Sequence, residues 1–174
     1  MGNTSNDDSD DFWDDEDEDT QAGKYLIFRL NNEDYGVFVG FVTQIIGMQP
    51  ITQVPDMPPF IKGVINLRGR VIPIVDVRAR FGLPEIAYEE RTCIIVVTIE
   101  DVPVGLVVDA VEGMVNIPDS EIEPPPKTRQ EGSSRFLQGL GKANNDSVKI
   151  LINVERLLYD EELEQLVEST AVTE

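Results

Sequence analysis

Hydrophobic residues recur through the middle of the chain in short blocks rich in Val and Ile, separated by polar turn residues. Blocks of this kind are typical of β-strands, because branched side chains pack well on a pleated surface. The pattern predicts a strand over 148–153 and three hairpins, which pair 24–30 with 35–39, 64–67 with 71–77, and 92–99 with 104–111. Residues 160–168 place Leu163, Leu166 and Val167 at helical spacing, which predicts a short helix. We therefore expect an all-β fold with a short C-terminal helix.

The strand pattern occurs twice along the chain. YLIFRLNNED at 25–34 aligns with TCIIVVTIED at 92–101, and the segment 73–77 aligns with 150–154 in the same order. Repetition of this kind indicates two similar structural units. We expect repeat halves at about 24–88 and 91–158, each with about five short strands, which favours two small closed or nearly closed barrels.

The formal net charge of −19 is concentrated at the two ends of the chain. Residues 1–22 hold ten acidic and no basic side chains, whereas 23–158 hold 17 acidic and 14 basic ones. The first 22 residues are predicted to be a disordered acidic tail, because like charges repel and few apolar groups offset the ordering entropy. Phe12 and Trp13 within it could instead form a small docking motif. The folded domain is expected over 23–159, followed by a short helix and tail over 160–174.

Composition excludes several classes of function. The chain has no continuous basic patch, which disfavours nucleic acid and anionic membrane surfaces as partners. It also has no apolar run near the roughly 20 residues that insertion into a bilayer requires. The N-terminus lacks the basic and apolar regions of a secretory signal. Cys93 is the single cysteine, so an internal disulfide is impossible, which fits a cytoplasmic location.

Candidates for catalysis are few. The chain has no histidine, the commonest general base and metal ligand. Cys93 lies in an apolar strand and is expected to be a core residue. Asp76 alternates with valines and is expected to accept hydrogen bonds from backbone donors at a strand end. We expect no enzyme activity, no cofactor and no metal site, although a pocket assembled in space is an alternative that the sequence leaves open.

The segment FIKGVINLRGRVIPIVDVR at 60–78 resembles the signature of the bacterial chemotaxis coupling (adaptor) protein family, CheW. Flanking motifs strengthen the resemblance: YLIFRL at 25–30, VGLVVD at 104–109, GLG at 139–141 and ILIN at 150–153. The resemblance covers residues 24–169 but not the acidic N-terminal tail. It implies two pseudo-symmetric five-stranded SH3-like barrels joined by a packed seam, without a cofactor.

The resemblance also implies a function. CheW proteins are non-catalytic cytoplasmic adaptors that link the tips of methyl-accepting chemoreceptors to the regulatory domain of the histidine kinase CheA, in arrays at the inner membrane. The regulatory domain of the kinase has the same fold. This domain and the adaptor alternate in rings, in which other CheW-like chains are possible further partners. Two alternatives remain: an adaptor of a related chemosensory pathway, and a standalone small-ligand-binding β-barrel with a deep apolar pocket.

The candidate contact residues centre on Arg68, at the predicted tip of a hairpin beside Gly69. A guanidinium beside a flexible glycine can reach a partner carboxylate and bind it through two hydrogen bonds. By resemblance, Arg68 matches the arginine of the family's receptor and kinase contact region. Asn66 and Lys62 stand on the same motif and are weaker candidates.

A second group of candidates surrounds Gln44, which stands where the family usually has a glutamate facing its arginine. Glutamine lacks the charge, so an ion pair with Arg68 is unavailable and only a neutral hydrogen bond remains. Val42 and Ile45 flank this position. For both, burial in the core and contact with a partner are equally good interpretations, because a small barrel cannot bury every apolar residue.

Overall fold

The structure is a computed structural model that describes residues 22–125, 135–142 and 147–158. The predicted acidic tail, apart from Ala22, and the predicted helix over 160–168 lie outside these ranges. Within them the strands are β1 Lys24–Leu30, β2 Glu33–Phe38, β3 Val42–Gly47, β4 Ile61–Leu67, β5 Arg70–Asp76, β6 Cys93–Ile99, β7 Val102–Val108, β8 Ala110–Asn116, β9 Ile122–Glu123, β10 Leu137–Lys142 and β11 Val148–Ile152. The two short α-helices are α1 Val77–Arg80 and α2 Val154–Leu158, and two 3-10 helices span Val39–Phe41 and Asp119–Glu121. The predicted all-β class is confirmed.

The strands form two sheets. The first sheet has the order β8-β1-β2-β11-β10-β9, and the second has the order β3-β6-β7-β5-β4. Each sheet therefore combines the first hairpin of one sequence half with the later strands of the other half. Parallel pairing of β2 with β11 and of β5 with β7 joins the two contributions. The expectation that each half forms a β unit of its own is wrong in this respect, because sequence similarity identifies equivalent strands but not their pairing partners.

The largest hydrophobic core lies between the two sheets and forms a seam. Leu26 and Phe28 of β1 face it from the first sheet, and Ile95 and Leu106 face it from the second. The alternate residues of the same strands turn the other way, since neighbouring side chains in a strand point to opposite faces. Each sheet thus curls around a smaller core of its own: Tyr25, Ile27, Ile117 and Leu151 in the first, and Ile65, Ile72, Ile74, Ile94, Val96 and Val107 in the second.

The three predicted hairpins are present, and all three turn through two consecutive residues with positive φ. These residues are Asn31 and Asn32, Arg68 and Gly69, and Glu100 and Asp101. Turns with left-handed backbone at both central residues match the right-handed twist of the flanking strands, which explains their use in tight hairpins.

Four strands were missed in the sequence: β3, β8, β9 and β10. The predicted strand over 104–111 ends at Val108, because the chain changes sheets at Asp109, whose backbone N–H donates to the carbonyl of Arg29 at 3.1 Å. Beyond this point β8 pairs with β1. Of these, β3 and β8 lie at a sheet edge and alternate mostly between half-buried and exposed residues, so their hydrophobic signal is weak. β9 has only two residues, and β10 carries Gly139 and Gly141, which weaken a strand pattern.

Candidate partner-binding site

The tip of the β4–β5 hairpin carries Arg68 at φ 55° and Gly69 at φ 83°. The side-chain Oδ1 of Asn66 accepts a hydrogen bond from the backbone N–H of Gly69 at 2.9 Å and closes the turn from within. A Cβ at Gly69 would meet no atom within 4 Å, so its positive φ rather than lack of space favours glycine. Arg68 is exposed at the end of this closed turn.

A second contact fixes the same tip from outside. The Nη2 of Arg70 donates to the backbone carbonyl of Asp101 at 2.9 Å, which ties the β4–β5 turn to the β6–β7 turn. Arg68 itself makes no hydrogen bond or ion pair in the part of the chain that the structure describes. An exposed guanidinium therefore stands on an anchored backbone, available to a partner carboxylate.

Two exposed valines beside the tip were not identified from the sequence. Val71 is 64% exposed and Val102 is 44% exposed. Their neighbours Arg70 and Asp101 are in contact, and β5 pairs in parallel with β7 from Ile74 and Gly105 onward, so both valines lie near the same end of the second sheet. The signal available in the sequence was their position at the predicted turns, but their proximity depends on a pairing that joins the two halves.

Of the two apolar candidates near Gln44, one is packed and the other is exposed. Val42 packs against the seam core, whereas Ile45 is 46% exposed. Ile46 of β3 and Leu67 of β4 pack against the same small core, so the two edges of the second sheet approach each other around the barrel.

Gln44 is half-buried opposite Val96. Among the described residues it forms no hydrogen bond with Arg68, so the neutral contact that the sequence left available is not made.

Lys62 lies away from the tip. It is six residues from Arg68 along β4, or about 20 Å at the usual rise of a strand. Its ammonium group pairs with the carboxylate of Glu85, and this hydrogen bond lowers the pKa of Glu85 below its ordinary value. Lys62 therefore anchors the loop that follows α1, and the structure does not bring it together with Arg68.

Asp76 has the role expected from its position at a strand end. Its Oδ1 accepts from the backbone N–H groups of Arg78 at 2.9 Å and Ala79 at 3.3 Å, which caps α1. Its Oδ2 accepts from the Tyr88 hydroxyl at 2.9 Å. Burial, and then the neighbouring Asp76 carboxylate, raise the pKa of Tyr88 above its ordinary value. These contacts fasten a helix and a loop and leave Asp76 no opening toward a substrate.

A groove of about 340 Å³ beside β1 and β8 is open and lined by charged side chains. Within it Arg29 lies 3.5 Å from Asp34 and 3.6 Å from Glu112, and Lys149 lies 2.7 Å from Asp34. Because these charges neutralise one another, the groove differs from the deep apolar pocket that a small-ligand barrel would need.

Residues 22–125, 135–142 and 147–158 contain no group of three or more His, Cys, Asp or Glu side chains arranged to hold a metal ion. None of the helices in these ranges is long and apolar enough to cross a membrane.

The fold and the site together define a class: a double-barrel β protein that carries an arginine on an anchored turn beside exposed apolar residues, features that are typical of surfaces for binding other proteins. Comparison with known proteins agrees. The family model described as CheW-like domain matches residues 24–162. The chemotaxis protein CheW of Klebsiella aerogenes is 38% identical over 144 residues, which are 83% of this chain and 86% of that protein. The chemotaxis protein CheW of Bacillus subtilis is 35% identical over 128 residues, 74% of this chain and 82% of that protein.

Solved structures give the same result. The crystal structure of the scaffolding protein TtCheW from Thermoanaerobacter tengcongensis matches with a TM-score of 0.74 at 34% identity, covering 81% of this chain and 95% of that one. The chain belongs to the CheW family of chemotaxis proteins. The predicted double-barrel fold is confirmed, and the chain is a non-catalytic chemotaxis adaptor rather than an enzyme.

Proposed function

We propose that this chain couples the cytoplasmic tips of chemoreceptors to the regulatory domain of the histidine kinase CheA, and that the Arg68 tip is one of its contact sites. The observation that carries the proposal is an exposed Arg68 without an internal partner, on a hairpin tip tied down by Asn66 from within and by Arg70 from outside. Because the backbone that carries Arg68 is already fixed, binding of a carboxylate would cost mainly the rotamer entropy of the arginine side chain and little backbone entropy.

The surroundings of Arg68 suit a protein interface. Val71 and Val102 supply apolar surface beside the charge, and a partner that covers them would remove water from around the guanidinium. Energetic centres of interfaces combine such an anchor with a dry apolar border. Ile45 offers further apolar surface on β3.

The double-barrel form supports contact with more than one partner. Its two barrels present different surfaces, so one chain can hold a receptor and the CheA regulatory domain together. The same chain can also meet other CheW-like chains in rings at the inner membrane. An adaptor of a related chemosensory pathway would use the same surfaces and would differ in the receptor that it recognises.

The test of this proposal is a bridging experiment. A cytoplasmic receptor fragment is immobilised, and retention of the CheA regulatory domain is measured with and without the full chain. We expect the CheA regulatory domain to be retained on the receptor fragment only when the chain is present. Retention of the CheA regulatory domain without the chain would contradict the proposal. Failure of the chain to retain that regulatory domain on the receptor fragment would contradict it too. Receptor fragments from different chemosensory pathways in parallel identify the cognate pathway.

A further inference from the structure

We propose that Asn66 is a positioning residue for Arg68: it holds the hairpin tip so that the guanidinium faces the partner, and does not contact the partner itself. The inference rests on the proposed function of the Arg68 tip. Its geometric basis is the 2.9 Å hydrogen bond from the Gly69 N–H to Asn66 Oδ1, which spans Arg68.

The backbone of Arg68 needs support. At φ 55° it lies in the left-handed region, which is unfavourable for a residue with a side chain because the Cβ crowds the following carbonyl oxygen. The β1–β2 turn has Asn31 and Asn32 at the equivalent positions, and asparagine tolerates this region well. Arg68 lacks this tolerance, as does Glu100 at φ 51° in the β6–β7 turn, so both of these turns need other contacts to hold their backbone.

The three hairpin tips are held in different ways. In the β1–β2 turn, the N–H of Asn31 donates to the Oδ2 of Asp109 at 3.0 Å, far away in the sequence. The β6–β7 turn is held through the Asp101 carbonyl by Arg70. In the β4–β5 turn, a side chain of the same hairpin bonds the turn's own backbone. Loss of this bond would free the Gly69 N–H and let Arg68 leave the left-handed region, so the direction of its side chain would no longer be fixed.

The test is a double-mutant cycle on the full chain with Asn66→Ala, Arg68→Ala and the double variant. Affinity for the receptor fragment and for the CheA regulatory domain is measured by calorimetry. A neutral hydrogen bond contributes about 0.5–1.5 kcal/mol, so Asn66→Ala should weaken binding roughly two- to ten-fold. This effect should disappear in the Arg68→Ala background, because Asn66 acts through Arg68. Asn116→Ala, at an exposed asparagine on β8, is the matched control and should leave affinity unchanged.

A second measurement reports the hydrogen bond without any partner. Hydrogen exchange of the Gly69 amide, followed by NMR, should accelerate in Asn66→Ala and return to the parent rate in Asn66→Asp, whose carboxylate is an acceptor of the same length. Thermal melting checks that each variant is folded.

The outcomes separate the two proposals. If Asn66→Ala weakens binding equally with and without Arg68, then Asn66 does not act through Arg68 and the inference is wrong. If Arg68→Ala weakens binding but Asn66→Ala does not, the inference fails while the proposed contact stands. If Arg68→Ala leaves both affinities unchanged, the proposed contact fails and the positioning role falls with it.

Discussion

Some residues of the second sheet and its turns are held by side-chain hydrogen bonds, and others are not. The Arg68 backbone is fixed by Asn66 and Arg70, whereas the side chain of Gln44 makes no hydrogen bond with any described residue. Arg68 was predictable because a glycine beside an arginine between two apolar blocks signals a tight turn. The proximity of Val71 and Val102 was not, since it depends on pairing between strands of different halves.

Gln44→Glu tests whether position 44 tunes the site. Exposed ion pairs contribute only about 0–1 kcal/mol, so the free energy of unfolding should change by no more than about that amount. Partner affinity should fall if the new carboxylate reaches Arg68, because it would then compete with the partner for the guanidinium. Calorimetric titration of parent and variant against the receptor fragment and the CheA regulatory domain measures the difference. Equal affinities for both partners would remove position 44 from the site.

A few buried polar side chains join strands, helices and loops through hydrogen bonds and ion pairs. Asp76 ends β5, caps α1 and receives the Tyr88 hydroxyl from the following loop. Buried Arg78, in α1, reaches Asp109 at 2.7 Å, at the point where β7 gives way to β8. The sequence indicated the capping role of Asp76 through its place at a strand end. It could not indicate Tyr88 or Asp109 as partners, because those contacts exist only once the barrels have packed.

Asp76→Ala tests the fastening role of this carboxylate. The variant loses the helix cap and leaves the Tyr88 hydroxyl without its acceptor, so we expect a loss of about 2 kcal/mol in the free energy of unfolding. Asp76→Asn keeps one acceptor oxygen and should lose less. Urea denaturation of both variants provides the measurement. If Asp76→Ala is as stable as the parent protein, then the capping contacts do not contribute to stability.

The whole molecule is held together mainly by the seam between the sheets. Each half of the sequence gives its first hairpin to the sheet that the other half completes, so neither half can bury the seam alone. Repetition of YLIFRLNNED and TCIIVVTIED correctly predicted equivalent hairpins, now β1–β2 and β6–β7. The exchange of hairpins between the two halves was not predictable. Pairing within one half and pairing between the halves bury the same alternating apolar residues locally, and only the packed seam distinguishes the two arrangements.

Leu106→Ala tests the seam. Leu106 is fully buried there, and removing its side chain should cost about 2–5 kcal/mol of unfolding free energy. The matched control on the same strand is Val102→Ala, at an exposed position, which should change stability by no more than about 0.5 kcal/mol. Because the seam joins both sheets, circular dichroism and amide NMR signals from the two sheets should report one common transition. Separate unfolding of the two sheets would show that the seam does not unite them.

Kinase activation in a reconstituted system of receptor fragment, CheA and the full chain tests the central claim most directly. Arg68→Glu reverses the anchoring charge, and loss of a buried charged contact weakens binding by roughly 2–5 kcal/mol. Arg91→Glu makes the same change at an exposed arginine beside the opposite end of β6. The account predicts that Arg68→Glu melts like the parent protein but fails to activate the kinase at concentrations where Arg91→Glu activates it fully. Normal activation by a well-folded Arg68→Glu variant would contradict the account and leave Arg68 as a turn residue without a partner.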